Sequence, residues 1–198
     1  MTTNAKGIVF IVDISGYSKF INQIDASNGI RIISRLFHSI IDQNQLEFKI
    51  SEIEGDAILF YRFGAPVSSE EILDQFKTML SSFQQQIKDL QKYFPIVADM
   101  GLKAIVHYGK MSEYAIQNFY KLFGRILVDA HRLLKNNIPE NTYVLITKEY
   151  IDALKKNGIE STISCGYQQC ELYDIGNLCY TYFPFKTQKN LSKNLKIA

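Results

Sequence analysis

Hydrophobic residues follow two spacings along the chain, and each spacing predicts a different element of secondary structure. The run Gly7–Ile14 is short, apolar and rich in β-branched residues, which predicts a buried central strand. Across Ile30–Ile41 apolar residues keep helical spacing, so a helix that packs on a sheet is expected there. The longest helical stripe covers Ile72–Phe94, and Pro95 ends it because proline cannot continue a helix.

Two extended segments lie between these helices and are joined around a glycine. The stretch FKISEIEGDAILFYRF is typical of a tight hairpin, with Glu54-Gly55-Asp56 at its turn. A further strand is expected at LKAIVHYG, and MSEYAI is expected to pair with it across Gly109-Lys110. The order up to Tyr108 is therefore β-α-β-β-α-β, with extra helix in the first connection. This order predicts an α+β fold, a ferredoxin-like βαββαβ antiparallel sheet with helices on one face.

The remaining segments continue this pattern beyond the predicted core. Helical spacing returns in ILVDAHRLL, TYVLIT is a predicted strand, KEYIDALKK is a short helix, and the cysteine region gives two late strands. We found no internal repeat and no linker that would divide the chain. Residues 1–185 are therefore predicted to form a single domain, and residues 186–198 a flexible basic tail.

The composition favours a folded protein with its own core. Of the 198 residues, 46% are hydrophobic and 13% aromatic, which argues against disorder. No apolar run approaches the roughly 18 residues of a membrane span, so no membrane partner is expected. The N-terminus lacks the order of regions found in a secretory signal, and we expect a cytoplasmic protein.

The net charge of +2 is concentrated at the C-terminus. The last segment holds Lys186, Lys189, Lys193 and Lys196 without an acidic residue; removing them from the 22 basic residues leaves 18 against 20 acidic ones. Because a nucleic-acid interface needs basic residues concentrated on the folded body, no nucleic-acid partner is expected.

Three cysteines lie close together near the C-terminus: Cys165, Cys170 and Cys179. There is no Cys-x-x-Cys pair and no nearby histidine, so the pattern does not favour a metal site. We expect reduced, partly buried thiols on neighbouring strands.

Two aspartates are the main candidates for chemistry. Asp13 ends the first predicted strand and Asp56 sits at the hairpin turn, so both side chains are expected at the same edge of the sheet. Converging carboxylates beside backbone carbonyls suit Mg²⁺ or Mn²⁺, which prefer oxygen ligands. Spacing alone leaves a structural alternative open, because an Asp before Ser-Gly-Tyr often caps a helix and an Asp after Gly often belongs to a turn.

The residues around these aspartates resemble the class III adenylate/guanylate cyclase domain. The resemblance is carried by four separated blocks in the family's order, IVDISGYSKF, EIEGDAILFYRF, LKAIVHYGKM and FGRILVDAHRLL. They span roughly residues 7–135 of the chain. SEIEGDAILFYRFG and AHRLLKN also resemble blocks of an uncharacterised bacterial family of cyclase-like domains of unknown function.

This resemblance implies a head-to-tail homodimer with nucleoside triphosphate pockets at the interface, and a sheet extended at its C-terminal end. By analogy, Mg or Mn would be bound by Asp13, Asp56 and the backbone carbonyl of Ile14. Arg132, from the partner subunit, would stabilise charge on the phosphorus during transfer. The implied chemistry is attack of the ribose 3′-hydroxyl on the α-phosphate, assisted by two metals.

Three positions depart from the family pattern. Glu52 stands where adenylate cyclases usually have a lysine that contacts adenine; guanylate cyclases often have glutamate there, which leaves guanine open. Lys121 stands where a small polar or acidic residue reads the base. Val128 replaces the asparagine that orients the ribose, and the adjacent Asp129 is rotated about 100° around the helix.

These departures predict a divergent protein. We expect a cyclase-homology module that keeps a two-aspartate metal or phosphate site but lacks standard base and ribose recognition. Its role would be nucleotide binding or signalling. An active nucleotide cyclase with an altered pocket and a non-catalytic dimeric interaction domain are the alternatives. His107 and His131 are expected to be structural, since no carboxylate partner is visible at triad-like spacing.

Overall fold

The computed structural model describes residues 3–160 and 166–185. Within these residues the chain forms eight strands and five α-helices. The strands are β1 Thr3–Ser15, β2 Lys49–Glu54, β3 Ala57–Phe63, β4 Gly101–Ile116, β5 Phe119–Phe123, β6 Tyr143–Thr147, β7 Tyr167–Tyr173 and β8 Gly176–Pro184. The helices are α1 Tyr17–Ile21, α2 Ala26–Ile41, α3 Ser69–Leu90, α4 Arg125–Leu133 and α5 Lys148–Lys156.

The strands form one sheet in the order β2-β3-β1-β4-β6-β8-β7, and β5 pairs with β4 beside this path. Neighbouring strands are antiparallel except β4 and β6, which are parallel. The first four strands of this order with α2 and α3 are the predicted βαββαβ unit. The α+β, ferredoxin-like fold class is confirmed, and β6, β8 and β7 extend its sheet.

Each face of the sheet has its own apolar core. Along β1, Ile8, Phe10 and Val12 pack with the layer that contains α2, α3 and α5. Val9 and Ile11 point to the opposite face, because side chains alternate along a strand. There α4 covers part of the sheet with its buried residues Ile126, Ala130 and Leu133. The core helices thus share one face, and the other face is partly open beside α4.

The helix boundaries follow local capping chemistry. Asp25 caps α2 by accepting a hydrogen bond from the Asn28 backbone N–H at 3.0 Å, so the helix begins before the apolar stripe. Ser68 and Glu71 form a reciprocal capping box at the start of α3. A short 3-10 helix at Pro95–Asp99 follows α3.

One predicted turn is absent from the described part of the chain. β4 runs without a break through Gly109-Lys110, because β1 pairs along it from Ser15↔Gly101 to Thr3↔Glu113. The real turn lies at the end of β4, where Gln117 has φ 54° and β5 returns. MSEYAI therefore belongs to β4 and pairs with β5.

The cysteine prediction is partly wrong. Cys170 and Cys179 do lie on neighbouring strands, but they are joined in a disulfide rather than reduced. They are direct cross-strand partners in the β7–β8 hairpin, and their Cα atoms are 4.0 Å apart. Cys165 and the predicted basic tail, residues 186–198, lie outside the described residues.

The described residues contain neither a membrane-spanning helix nor a metal cluster of three or more ligands. No helix there combines the length and apolar character that a membrane span requires. Nor do three or more His, Cys, Asp and Glu side chains of residues 3–160 and 166–185 come together as a metal site.

Candidate functional site

The end of β1 is joined to the β2–β3 turn, and this joint brings Asp13 and Asp56 together. The Ile14 backbone N–H donates to the Asp56 carbonyl oxygen at 2.9 Å, while Asp13 is the cross-strand partner of Ala57. Gly55 between the strands has φ 59°, a left-handed conformation that favours glycine. Both predicted metal-binding aspartates thus lie at one edge of the sheet.

A cleft of about 290 Å³ contains both side chains. Its lining consists of four carboxylate residues, one histidine and mostly apolar neighbours: Ile11, Asp13, Glu52, Glu54, Gly55, Asp56, Ala57, Leu59, His131 and Leu134. The cleft is on the face of the sheet that α4 covers only in part. Its concentration of carboxylates favours a positively charged occupant.

Asp13 is a buried carboxylate with two dissimilar oxygen atoms. The residue is 7% exposed, and Oδ1 has no hydrogen-bond partner among the described residues. Burial raises the pKa of Asp13 to about 6; nearby Lys103 opposes this rise, and Asp56 adds to it by repulsion. Because Asp56 repels the charged form of Asp13, a proton or a cation bound by the two carboxylates would lower this repulsion.

Lys103 contacts the site and is not among the residues predicted from the sequence. Its Nζ lies 3.3 Å from Asp13 Oδ2, and both side chains are largely buried. Asp13 and Lys103 are direct partners across β1 and β4. The strand containing Lys103 was predicted, but the register that sets it opposite Asp13 has no local sequence signal.

The donor set fits a divalent cation in part. The unpartnered Asp13 Oδ1 and the Asp56 carboxylate are oxygen ligands of the kind that Mg²⁺ and Mn²⁺ prefer. The Ile14 backbone N–H bonds to Asp56, and a role for its carbonyl remains a prediction. Since Lys103 already contacts Asp13 Oδ2, the clearest fit is to one ion between Asp13 and Asp56.

The two positions predicted to contact the base bind each other. Lys121 on β5 forms an ion pair with Glu52 on β2, and their side chains are 46% and 29% exposed. The hydrogen bond to Glu52 raises the pKa of Lys121, so the ammonium is held in its charged form. The structure therefore unites Glu52 and Lys121 beside the cleft as a charged pair.

Val128 and Asp129 lie on different faces of α4. Val128 is 47% exposed, whereas Asp129 is buried with Oδ2 3.7 Å from His107 Nε2 and 3.5 Å from Arg125 Nε. Asp129 therefore points into the protein and does not take over the surface position of Val128. The surface position thus has an apolar side chain that makes no hydrogen bonds.

Arg132 does not reach the cleft of its own chain. It donates from Nη2 to Asp174 Oδ2 at 2.7 Å, and Asp174 lies in the turn between β7 and β8. The neighbouring His131 and Leu134 line the cleft instead. The structure therefore separates Arg132 from the aspartate pair of the same chain.

The two histidines differ in their surroundings. His107 is buried, and its Nδ1 is 2.8 Å from Thr147 Oγ1, the hydroxyl that also caps α5. This contact connects β4 to the start of α5. His131 lines the cleft beside the carboxylates, a location that the helical pattern alone did not indicate.

Comparison with known proteins relates this site to a family and a fold. Residues 33–143 match the model of a family described as "Protein of unknown function (DUF2652)", a segment that begins after Asp13 and includes Asp56 and Arg132. The uncharacterized protein Rv2561/Rv2562 of Mycobacterium tuberculosis is 25% identical over 122 residues, or 58% of this chain. The chain spans 57% of the length of that relative.

Solved structures of nucleotide cyclases share the fold. The adenylyl cyclase CyaB from P. aeruginosa gives a TM-score of 0.60 at 13% identity, over 94% of this chain and 97% of that one. The guanylyl cyclase Cya2 gives a TM-score of 0.60 at 13% identity, over 95% of this chain and 96% of that one. The chain therefore has the fold of nucleotide cyclase domains, as its sequence blocks predicted.

Proposed function

Because the chain belongs to the family described as "Protein of unknown function (DUF2652)" and has the cyclase fold, we propose that it is a divergent cyclase-homology protein. It keeps a two-aspartate site for a metal ion and phosphate, and it acts as a nucleotide-binding or signalling module. The observation that carries this proposal is the shared cleft of Asp13 and Asp56, with Asp13 Oδ1 buried and unpartnered among the described residues. A bound Mg²⁺ or Mn²⁺ would neutralise phosphate charge there.

The surroundings of the cleft support binding over standard catalysis. Glu52 and Lys121 form an ion pair with each other, so neither side chain is held ready to bind a nucleotide base alone. Val128 offers no hydrogen bond to a ribose at an exposed position of α4. Loss of an orienting contact lowers the rate of a transfer reaction by on the order of tenfold or more.

A homodimer is part of the proposal. Arg132 is turned toward Asp174 and away from the cleft of its own chain, so it would serve only a cleft of a second subunit. The β4–β5 hairpin supports an interface because several large apolar side chains are exposed on it: Ile116, Phe119, Tyr120 and Phe123. A purely structural role as a dimeric interaction domain is the corresponding non-enzymatic alternative.

One observation favours an active enzyme as the second candidate. The Glu52–Lys121 pair presents both hydrogen-bond acceptors and donors beside the carboxylate cleft, so it could contact a base other than adenine. Asp13, Asp56 and Arg132 are all present. Formation of a cyclic nucleotide that stops on Asp13→Ala or Asp56→Ala would favour this candidate over the binding module.

The test is a thermal-shift screen of nucleoside triphosphates with Mg²⁺ and Mn²⁺. A ligand that binds the folded state raises its unfolding temperature by mass action, so the wild type should be stabilised. Asp56→Asn should lose the shift. Asp74→Asn, which removes an exposed carboxylate paired with Lys77 on α3, is the matched control and should keep it. Absence of a shift with every nucleotide in the wild type would contradict the proposal.

A further inference from the structure

The side chain of Lys103 places a positive charge directly beside the carboxylate site. Its Nζ is 3.3 Å from Asp13 Oδ2 and 3.4 Å from the carbonyl oxygen of Leu134. The side chains of Lys103 and Asp13 are 19% and 10% exposed, so water screens their interaction only weakly. The cross-strand register of β1 and β4 fixes the pair, which makes the ammonium a constant neighbour of Asp13.

The two oxygen atoms of Asp13 are therefore not equivalent. Oδ2 faces the Lys103 ammonium, whereas Oδ1 is buried without a hydrogen-bond partner among the described residues. Asp56 lines the same cleft and is close enough to raise the pKa of Asp13 by repulsion. A cation can therefore be bound between Asp13 Oδ1 and Asp56 without displacing the lysine.

A second divalent ion meets an obstacle on the other side of Asp13. An ion bound to Oδ2 would lie within a few ångströms of the Lys103 ammonium, where charges of +2 and +1 repel strongly in a poorly screened site. We propose that Lys103 takes the place of one metal ion, so that the cleft binds a single divalent cation through Asp13 Oδ1 and Asp56. This inference rests on the proposed function, because it specifies how many ions the proposed metal site holds.

The test is the stoichiometry of Mn²⁺ binding to the full chain. Mn²⁺ alone is titrated into the protein, and the free ion is followed by its electron paramagnetic resonance signal. We expect one ion per chain in the wild type and one in Lys103→Arg, which keeps the positive charge. Lys103→Met removes the charge but keeps an apolar stem of similar length, and should bind two ions per chain.

Two further variants make the result specific. Asp56→Asn should lose the single ion of the wild type, because it removes one of the two carboxylate ligands. Lys77→Met removes an exposed lysine paired with Asp74 on α3 and should still bind one ion. Circular dichroism of each variant establishes that a change in stoichiometry is not caused by unfolding.

The possible outcomes separate this inference from the proposed function. Two ions per wild-type chain would overturn the inference and leave the metal site of the proposed function intact. One ion in both the wild type and folded Lys103→Met would also overturn it, since the lysine would then not limit occupancy. No binding to the wild type would overturn both proposals.

Discussion

Lys121 of β5 and Glu52 of β2, 69 residues apart in the chain, form an ion pair at the edge of the carboxylate cleft. Both residues stand at positions where the cyclase family has base-contacting residues, and both depart from the family pattern. Because the two side chains pair, each one offsets the charge that the other presents at the edge of the cleft. The pair is solvent-exposed in part, so its effect on ligand binding should exceed its effect on stability.

Breaking this pair from either side should change nucleotide affinity in opposite directions. Lys121→Met leaves Glu52 unneutralised beside Glu54, so the affinity for a nucleoside triphosphate should fall by several-fold. Glu52→Gln leaves the lysine free and should raise that affinity by a similar factor. Isothermal titration calorimetry with ATP and GTP measures both. Equal affinities in the two variants would show that the pair lies outside the nucleotide site.

Asp13 should make stability depend on pH. Burial raises its pKa in the folded protein to about 6, above the value of about 3.9 in an unfolded chain. The folded state then retains a proton that the unfolded state has lost, so the free energy of unfolding falls as pH rises from about 4 to about 6. Below this pH window Asp13 is protonated in both states and does not lower the free energy of unfolding. Above the window, the loss of stability caused by its ionisation is complete.

The variant Asp13→Asn should remove this dependence. It imitates the protonated side chain, so at pH 7 we expect it to be more stable than the wild type by about 3 kcal/mol. Urea unfolding without divalent ions, at intervals from pH 4 to pH 7.5, measures the difference. Parallel stability curves for the two proteins would contradict the assignment of the raised pKa to Asp13.

Val128→Asn should restore a polar contact at the exposed position of α4. Because Val128 is 47% exposed, the substitution is expected to leave the fold intact. If the surface of α4 faces a bound ribose, the affinity for a nucleoside triphosphate should increase by about tenfold, on the order of one added hydrogen bond. Val128→Ala, which adds no hydrogen bond, is the matched control. Equal affinities for the two variants would remove α4 from the nucleotide site.

The orientation of α2 can be tested by two truncations on the same helix. Leu36 is fully buried in the core, so Leu36→Ala should lower the free energy of unfolding by about 2–5 kcal/mol. Ile30 is 71% exposed, and Ile30→Ala should change it by about 0.5 kcal/mol or less. Chemical denaturation compares them. A large loss for Ile30→Ala would indicate that this surface of α2 is covered in solution.

Several parts of the fold were predictable because their causes are local. The apolar spacing of α3 lies within one segment and predicts a helix there, which is observed as Ser69–Leu90. The predicted stop is wrong, because α3 ends before Phe94 and Pro95 instead begins the 3-10 helix Pro95–Asp99. The prediction of a turn at Gly109-Lys110 is wrong because the conformation there has a non-local cause. Glycine is compatible with a turn, but pairing with the whole of β1 keeps β4 extended there.

The sequence by itself determined the order of elements and the common location of Asp13 and Asp56, because strand order brings the end of β1 to the β2–β3 turn. Tertiary structure alone decided which side chains neutralise one another. Lys103 meets Asp13 through the β1–β4 register, and Arg132 meets Asp174 through the position of the late hairpin. Such contacts depend on register and on distances between elements, which local periodicity does not encode.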